Sequence, residues 1–121
     1  MPRPVHFEIP AENPDKLSGF YAGVFGWKFS RWEGPMDYWL ITTGAEGERG
    51  IDGGMGRKQG DGGPCNTIEV SSVDTCAASV EKKGGKVIVP KMPIPGIGWL
   101  AYCTDPEGNT FGILEGDPAA K

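Results

Sequence analysis

Residues 6–9 read HFEI, and residues 67–70 read TIEV. Both stretches alternate in the same way. In an extended chain Phe7 and Ile9, like Ile68 and Val70, fall on one side, while His6 and Glu8, like Thr67 and Glu69, fall on the other. Working outward, PDKLSGFYAGVFGW (14–27) lies over VDTCAASVEKKGGK (73–86) at an offset of 59, with Asp15 over Asp74 and Gly26 over Gly85. DYWLITT (37–43) lies over GWLAYCT (98–104) at an offset of 61, with Thr43 over Thr104. A unit of about 60 residues, repeated once, is the simplest account of these matches.

Each copy opens with a strand and continues into a short helix. Asn13 is placed to cap the first helix, Pro14 suits its first turn, Leu17, Phe20, Tyr21 and Val24 form its apolar stripe, and Gly26 ends it. In the second copy Asp74 is the expected cap, Cys76, Ala77 and Val80 form the stripe, and Gly84 and Gly85 stop it. Three strands follow in each copy: WKFSR (27–31), DYWLITT and GIDGGMGR (50–57) in the first; KVIV (86–89), GWLAYCT and NTFGILE (109–115) in the second. The turn sequence DPEGN (105–109) joins the last two as a hairpin. The expected fold class is α+β, a single domain over 1–121 built from two tandem βαβββ modules, the first about 4–57, a linker about 58–64 and the second about 65–116. One helix per module covers one face of its sheet. The uncovered faces must enclose a cavity or pair with another chain.

The formal charge is −4 and the lysines and arginines form no stripe, which argues against nucleic acid or an anionic membrane as the main partner. No stretch approaches the roughly 20 apolar residues of a membrane span, and MPRPVHFEIP lacks the apolar core of a secretory signal, so a cytoplasmic protein is expected. Cys65, Cys76 and Cys103 are odd in number and lack CxxC spacing, and are read as reduced, structural thiols. The glycine-rich run from Gly44 to Gly63 has no GK[ST] and no following helix, and reads as a linker rather than a phosphate cradle.

The paired modules, FYAGVFGW (20–27), EKKGGKV (81–87) and DPEGNTFGILE (105–115) resemble the vicinal oxygen chelate superfamily, which includes glyoxalase I, bleomycin-resistance proteins and extradiol dioxygenases. VPKMPIPGIGW (89–99) beside DPEGNTFGI is similar to small bacterial proteins related to lactoylglutathione lyase. The resemblance runs from about Val5 to Glu115. It implies a curved, barrel-like mixed sheet around a cavity, a small-molecule ligand and a homodimer. In metal-using members it also implies a divalent ion held by His, Glu or Gln from the first and last strand of each module. Carried over, those positions are His6, Thr67, Gly112 and either Asp52 or Gly53. His6 matches, whereas Thr67 is a poor ligand and Gly112 has no side chain. The expectation is a site without the usual metal and without another cofactor; a displaced set of His6, Glu8 and Glu69 is the alternative.

No Ser-His-Asp constellation assembles, because His6 is the chain's single imidazole and nothing in the sequence places a serine beside it. The candidate acid–base residues are His6, Glu8 and Glu69. Strand parity puts Tyr38, Leu40 and Thr42 with Trp99, Ala101 and Cys103 toward the cavity, and the bulkier Trp39, Ile41, Leu100 and Tyr102 toward the helices. Tyr38 and Trp99 thereby join Asp52 and Thr67 as candidate ligand-binding residues. KMPIPGIG (91–98) is read as a loop at the cavity mouth or a subunit contact, Met55 and Arg57 as packing and solvated residues, and Glu115 as the end of its strand. The leading expectation is a glyoxalase-like small-molecule-binding protein lacking the usual divalent metal. Two alternatives stand beside it: a metal-dependent, lactoylglutathione-lyase-like enzyme acting through His6, Asp52 and displaced carboxylates, and a bleomycin-resistance-type protein sequestering cationic drugs in an acidic, aromatic-lined groove.

Overall fold

A computed structural model describes residues 1–59 and 62–121; residues 60 and 61, inside the expected linker, lie outside the described residues. The elements are β1 (Arg3–Ala11), α1 (Pro14–Phe25), β2 (Lys28–Arg31), β3 (Tyr38–Thr42), β4 (Gly53–Arg57), β5 (Cys65–Glu69), α2 (Val73–Lys82), β6 (Lys86–Ile94), β7 (Gly98–Thr104) and β8 (Thr110–Gly116). The fold is α+β, with βαβββ written twice. Two units are distinguished: His6–Pro64, and Cys65–Lys121 together with Met1–Val5. In the first, the strand order is β2-β3-β4-β1, with β1 and β4 parallel and the other pairs antiparallel. The second repeats this scheme as β6-β7-β8-β5, with β5 and β8 parallel. No helix among the described residues is long and apolar enough to cross a membrane.

α1 starts and stops where local chemistry dictates. The Asn13 side chain accepts from the Lys16 N–H at 3.2 Å, Pro14 occupies the first turn, and Gly26 takes the left-handed conformation (φ 75°) that lets its N–H reach the Ala22 carbonyl at 2.9 Å. α2 begins earlier than its sequence suggests. Ser72, not Asp74, is the cap: its extended backbone precedes the helix and its Oγ accepts from the Thr75 N–H at 3.1 Å. Val73 is fully buried, which draws the helix start back onto the core, and Glu115 at the end of β8 accepts the Val73 N–H at 2.9 Å. Asp74 instead sits in the first turn, where it suits the positive end of the helix and pairs with Lys91 at 3.0 Å. Glu115→Ala is expected to lower stability by about 1 kcal/mol through loss of this second cap, read as a shift in the urea midpoint at unchanged slope.

The first unit's core gathers Ala11, Ile41 and Met55 with Phe7, Ile9, Leu17, Trp27, Phe29 and Trp39. The α1 stripe is narrower than the sequence suggests. Leu17 packs on this core and Tyr21 stacks on Trp27 at 5.2 Å, whereas Phe20 and Val24 are more than half exposed, because only part of a helix's circumference can meet a flat sheet. The second core is Val70, Val73, Ala101, Cys103 and Ile113, with Cys76, Ala77 and Val80 from α2 and Trp99 from β7. Burial here pushes the Cys103 thiol up from its ordinary range, the direction of an inert structural cysteine.

Trp99 therefore lies on the helix side, opposite to its placement by parity. The register shows why. Leu40 pairs with Gly54 and Tyr38 with Gly56, while Leu100 pairs with Leu114 and Gly98 with Gly116, so β3 and β7 correspond at an offset of 60, one less than the sequence match suggests. A one-residue slip sends every side chain to the other face. Trp39 is the counterpart of Trp99, and Gly98 that of Tyr38. Bulk misled because α2 presses small residues, Ala101 and Cys103, against the sheet. Trp99 donates its indole N–H to Asp117 at 3.0 Å and carries the Lys91 ammonium 4.8 Å over its ring.

KMPIPGIG is likewise not wholly a loop, since β6 continues through Ile94 with register irregularities between Val87 and Val89 and between Val89 and Met92. Pro90 and Pro93 are tolerated because β6 is the marginal strand of its unit's sheet order, with a ladder on one side only.

Candidate functional site

The alternation of β1 that sends Phe7, Ile9 and Ala11 to the core leaves His6 and Glu8 on the opposite face. Tyr38, at the start of β3, lies on that face and joins them. Its hydroxyl is 2.9 Å from His6 Nε2 and donates to Glu8 Oε2 at 3.0 Å. Space for the ring comes from Gly54, which pairs with both Glu8 and Leu40: a Cβ there would fall on the Tyr38 hydroxyl and ring. Burial disfavours the imidazolium and lowers the His6 pKa below its ordinary value, against the smaller raising effects of the Glu8 and Asp52 carboxylates.

Asp52 immediately precedes β4, as His6 precedes the Phe7–Gly53 pair on the neighbouring strand. Its Oδ1 accepts from the Thr43 N–H at 2.9 Å and from the Thr43 hydroxyl at 3.2 Å, so the carboxylate ties down the connection between β3 and β4. In the second unit, Thr67 is buried and pairs with Gly112. A Cβ on Gly112 would stand 3.3 Å from the Thr67 hydroxyl and 3.4 Å from the Tyr102 ring. Thr67, Leu100 and Tyr102 thus share that unit's face away from α2, and Glu69, opposite Leu114, has the parity of Thr67. The structure brings His6, Glu8 and Tyr38 into one hydrogen-bonded chain, keeps Asp52 near enough to act on His6 electrostatically, and places Trp99 on the helix side. Glu115 is consumed in capping α2.

The bridging role of Tyr38 and the presence of Tyr102 on the second face both escape a reading by sequence. The signal for each is a glycine, Gly54 or Gly112, at the strand position where a tyrosine ring needs room. A separate cleft of about 420 Å³ lies at the start of α1, where Arg31 and Arg57 both pair with Asp37 and flank the Trp39 ring at 5.1 and 5.8 Å. Glu12 and Asp15 also line it, so it has no dominant sign of charge.

The divalent ion implied by the resemblance finds a poor fit. His6 Nε2 and the Glu8 carboxylate are both engaged by Tyr38, Asp52 Oδ1 is engaged by Thr43, and Gly112 offers no donor. Among the described residues, no three His, Cys, Asp or Glu side chains are arranged to hold a metal ion.

The family model for the Glyoxalase/Bleomycin resistance protein/Dioxygenase superfamily matches residues 3–113. The chain belongs to this superfamily. Among curated relatives of this glyoxalase-superfamily protein, the anthracycline biosynthesis proteins DauV of Streptomyces sp. (strain C5) and DnrV of Streptomyces peucetius are each 26% identical to it over 93% of its length and 48% of theirs. The chain thus spans about half the length of these relatives. A methylmalonyl-CoA epimerase from Streptomyces coelicolor, in complex with 2-nitronate-propionyl-CoA, superposes with a TM-score of 0.67 at 15% identity, covering 100% of this chain and 99% of that one. The Mn(II)-bound glyoxalase from Novosphingobium aromaticivorans gives 0.66 at 17% identity, covering 99% of this chain and 40% of that one. At such identities the shared property is the glyoxalase-superfamily fold.

Proposed function

We propose that this glyoxalase-superfamily protein binds a small organic molecule and moves a proton on it, with His6 and Glu8 as the acid–base groups and without the divalent ion of metal-using relatives. The observation that carries this reading is the His6–Tyr38–Glu8 chain, which commits to one another two side chains that a metal would otherwise claim. Burial favours the neutral imidazole, the form able to take up a proton. Glu69, the counterpart of Glu8 in the second module, shares the parity of Thr67 on its own unit's face. Relatives named for anthracycline biosynthesis and a fold neighbour holding an acyl-CoA analogue support a small organic ligand.

The test has two arms. Titration of the purified protein with Mn²⁺, Ni²⁺ and Zn²⁺ is expected to show no stoichiometric submicromolar binding, and such binding would overturn the metal-free reading. Mass spectrometry of co-purifying small molecules supplies a substrate candidate. On the substrate so identified, His6→Ala is expected to lower turnover by about 10²–10⁴-fold, and wild-type turnover in that variant would remove His6 as the base.

A further inference from the structure

We infer that Tyr38 is a positioning residue, holding His6 as the Nε2–H tautomer so that Nδ1 is the atom that receives the proton. The inference rests on the acid–base reading above and carries it from the residue to the atom.

A phenol has one proton to give. Tyr38 gives it to Glu8 Oε2 at 3.0 Å, since a carboxylate only accepts. What Tyr38 then presents to His6, at 2.9 Å, is an oxygen lone pair, and only an N–H on Nε2 can make that contact favourable. The opposite polarity, with Tyr38 donating to Nε2, would leave the Glu8 and Tyr38 oxygens facing each other across 3.0 Å with no hydrogen between them. A neutral imidazole carries one N–H, so fixing it on Nε2 places the lone pair on Nδ1. Among the described residues, Nδ1 has no hydrogen-bond partner.

The arrangement resembles in logic a catalytic triad with its members reordered: an anchored carboxylate, an intermediary that sets the tautomer, and a base with one defined working atom. The step balances without a further reagent. A proton leaves the ligand for Nδ1, the ring becomes an imidazolium that still donates Nε2–H to Tyr38, and the Glu8 carboxylate, one hydrogen bond further on, lies toward the new positive charge. Return of the proton from Nδ1 restores the neutral ring. Gly54 keeps the phenol in place because the ring occupies the volume that a side chain there would take.

The single histidine makes the test direct. Nitrogen-15 NMR of the labelled protein, without ligand and at a pH where the ring is neutral, should show a pyrrole-type Nε2 and a pyridine-type Nδ1. Tyr38→Phe, which keeps the ring and therefore the packing, is expected to turn this single tautomer into a mixture. Glu8→Ala frees the phenolic proton and should move the population toward Nδ1–H. A wild-type ring protonated on Nδ1 overturns the inference whatever the variants do, as does an unchanged tautomer ratio in either variant with a native amide spectrum. Because no ligand is present, this result is independent of the turnover of His6→Ala, so failure of the tautomer assignment and failure of the acid–base reading are distinguishable.

Discussion

Gly98→Ala is expected to destabilise the protein by about 3 kcal/mol, the upper end for forcing an added methyl group into a filled space. Gly98 is buried and opens β7 opposite Gly116, and a Cβ built on it runs into the Glu115 carbonyl and approaches the Gly116 Cα at 3.1 Å. Those atoms are backbone and cannot swing aside, so β7 and β8 must part at this end. The displacement also moves Glu115, whose carboxylate holds the first N–H of α2, and the damage spreads from a strand pair to a helix start. Urea unfolding measures it as a fall in midpoint. Gly116→Ala is the control: nothing lies within 4 Å of its Cβ, and a change within about 0.5 kcal/mol is expected. Equal effects for the two substitutions would show that the close approach at Gly98 is not the cause.

Gly54→Ala meets a different obstacle and should have a different result. Here the atoms in the way belong to the Tyr38 ring, which can rotate out at a cost of about 1–3 kcal/mol in lost packing. The fold survives, but the hydroxyl leaves its place between His6 and Glu8. The His6 nitrogen spectrum of Gly54→Ala is expected to match that of Tyr38→Phe, and adding Tyr38→Phe to Gly54→Ala should change it no further, since the contact is already lost. A wild-type spectrum in Gly54→Ala would mean that the ring finds room without giving up its partners. Together the two glycines separate stability from the site, one guarding a backbone contact and the other a hydroxyl.

What was legible in the sequence was local. The alternation in HFEI and TIEV places His6 and Glu8 on one face without knowledge of the partner strands, and Asn13, Pro14 and Gly26 mark the ends of α1 through contacts within four residues. The correspondence of β3 with β7 was not legible at single-residue precision, because DYWLITT and GWLAYCT carry aromatic residues at both parities and register is set by pairing with β4 and β8. That one residue moved Trp99 from the expected ligand-binding face to the α2 side. The role of Tyr38 was further out of reach: it depends on a strand 30 residues from Glu8 and on the emptiness of a third strand at Gly54. For β6 the prolines ended the reading too early, because their tolerance depends on the strand's position in the sheet order rather than on its own composition.

The margin formed by β6 also bears on behaviour at high concentration. An open strand is a template on which a second molecule can lay its own, and fibrillar growth starts from such templates. Along β6 an incoming strand meets Pro90 and Pro93, which have no N–H to offer, a ladder broken by two irregularities, and the exposed lysines Lys86 and Lys91. The same prolines that disguise this strand in the sequence make it a poor template for another.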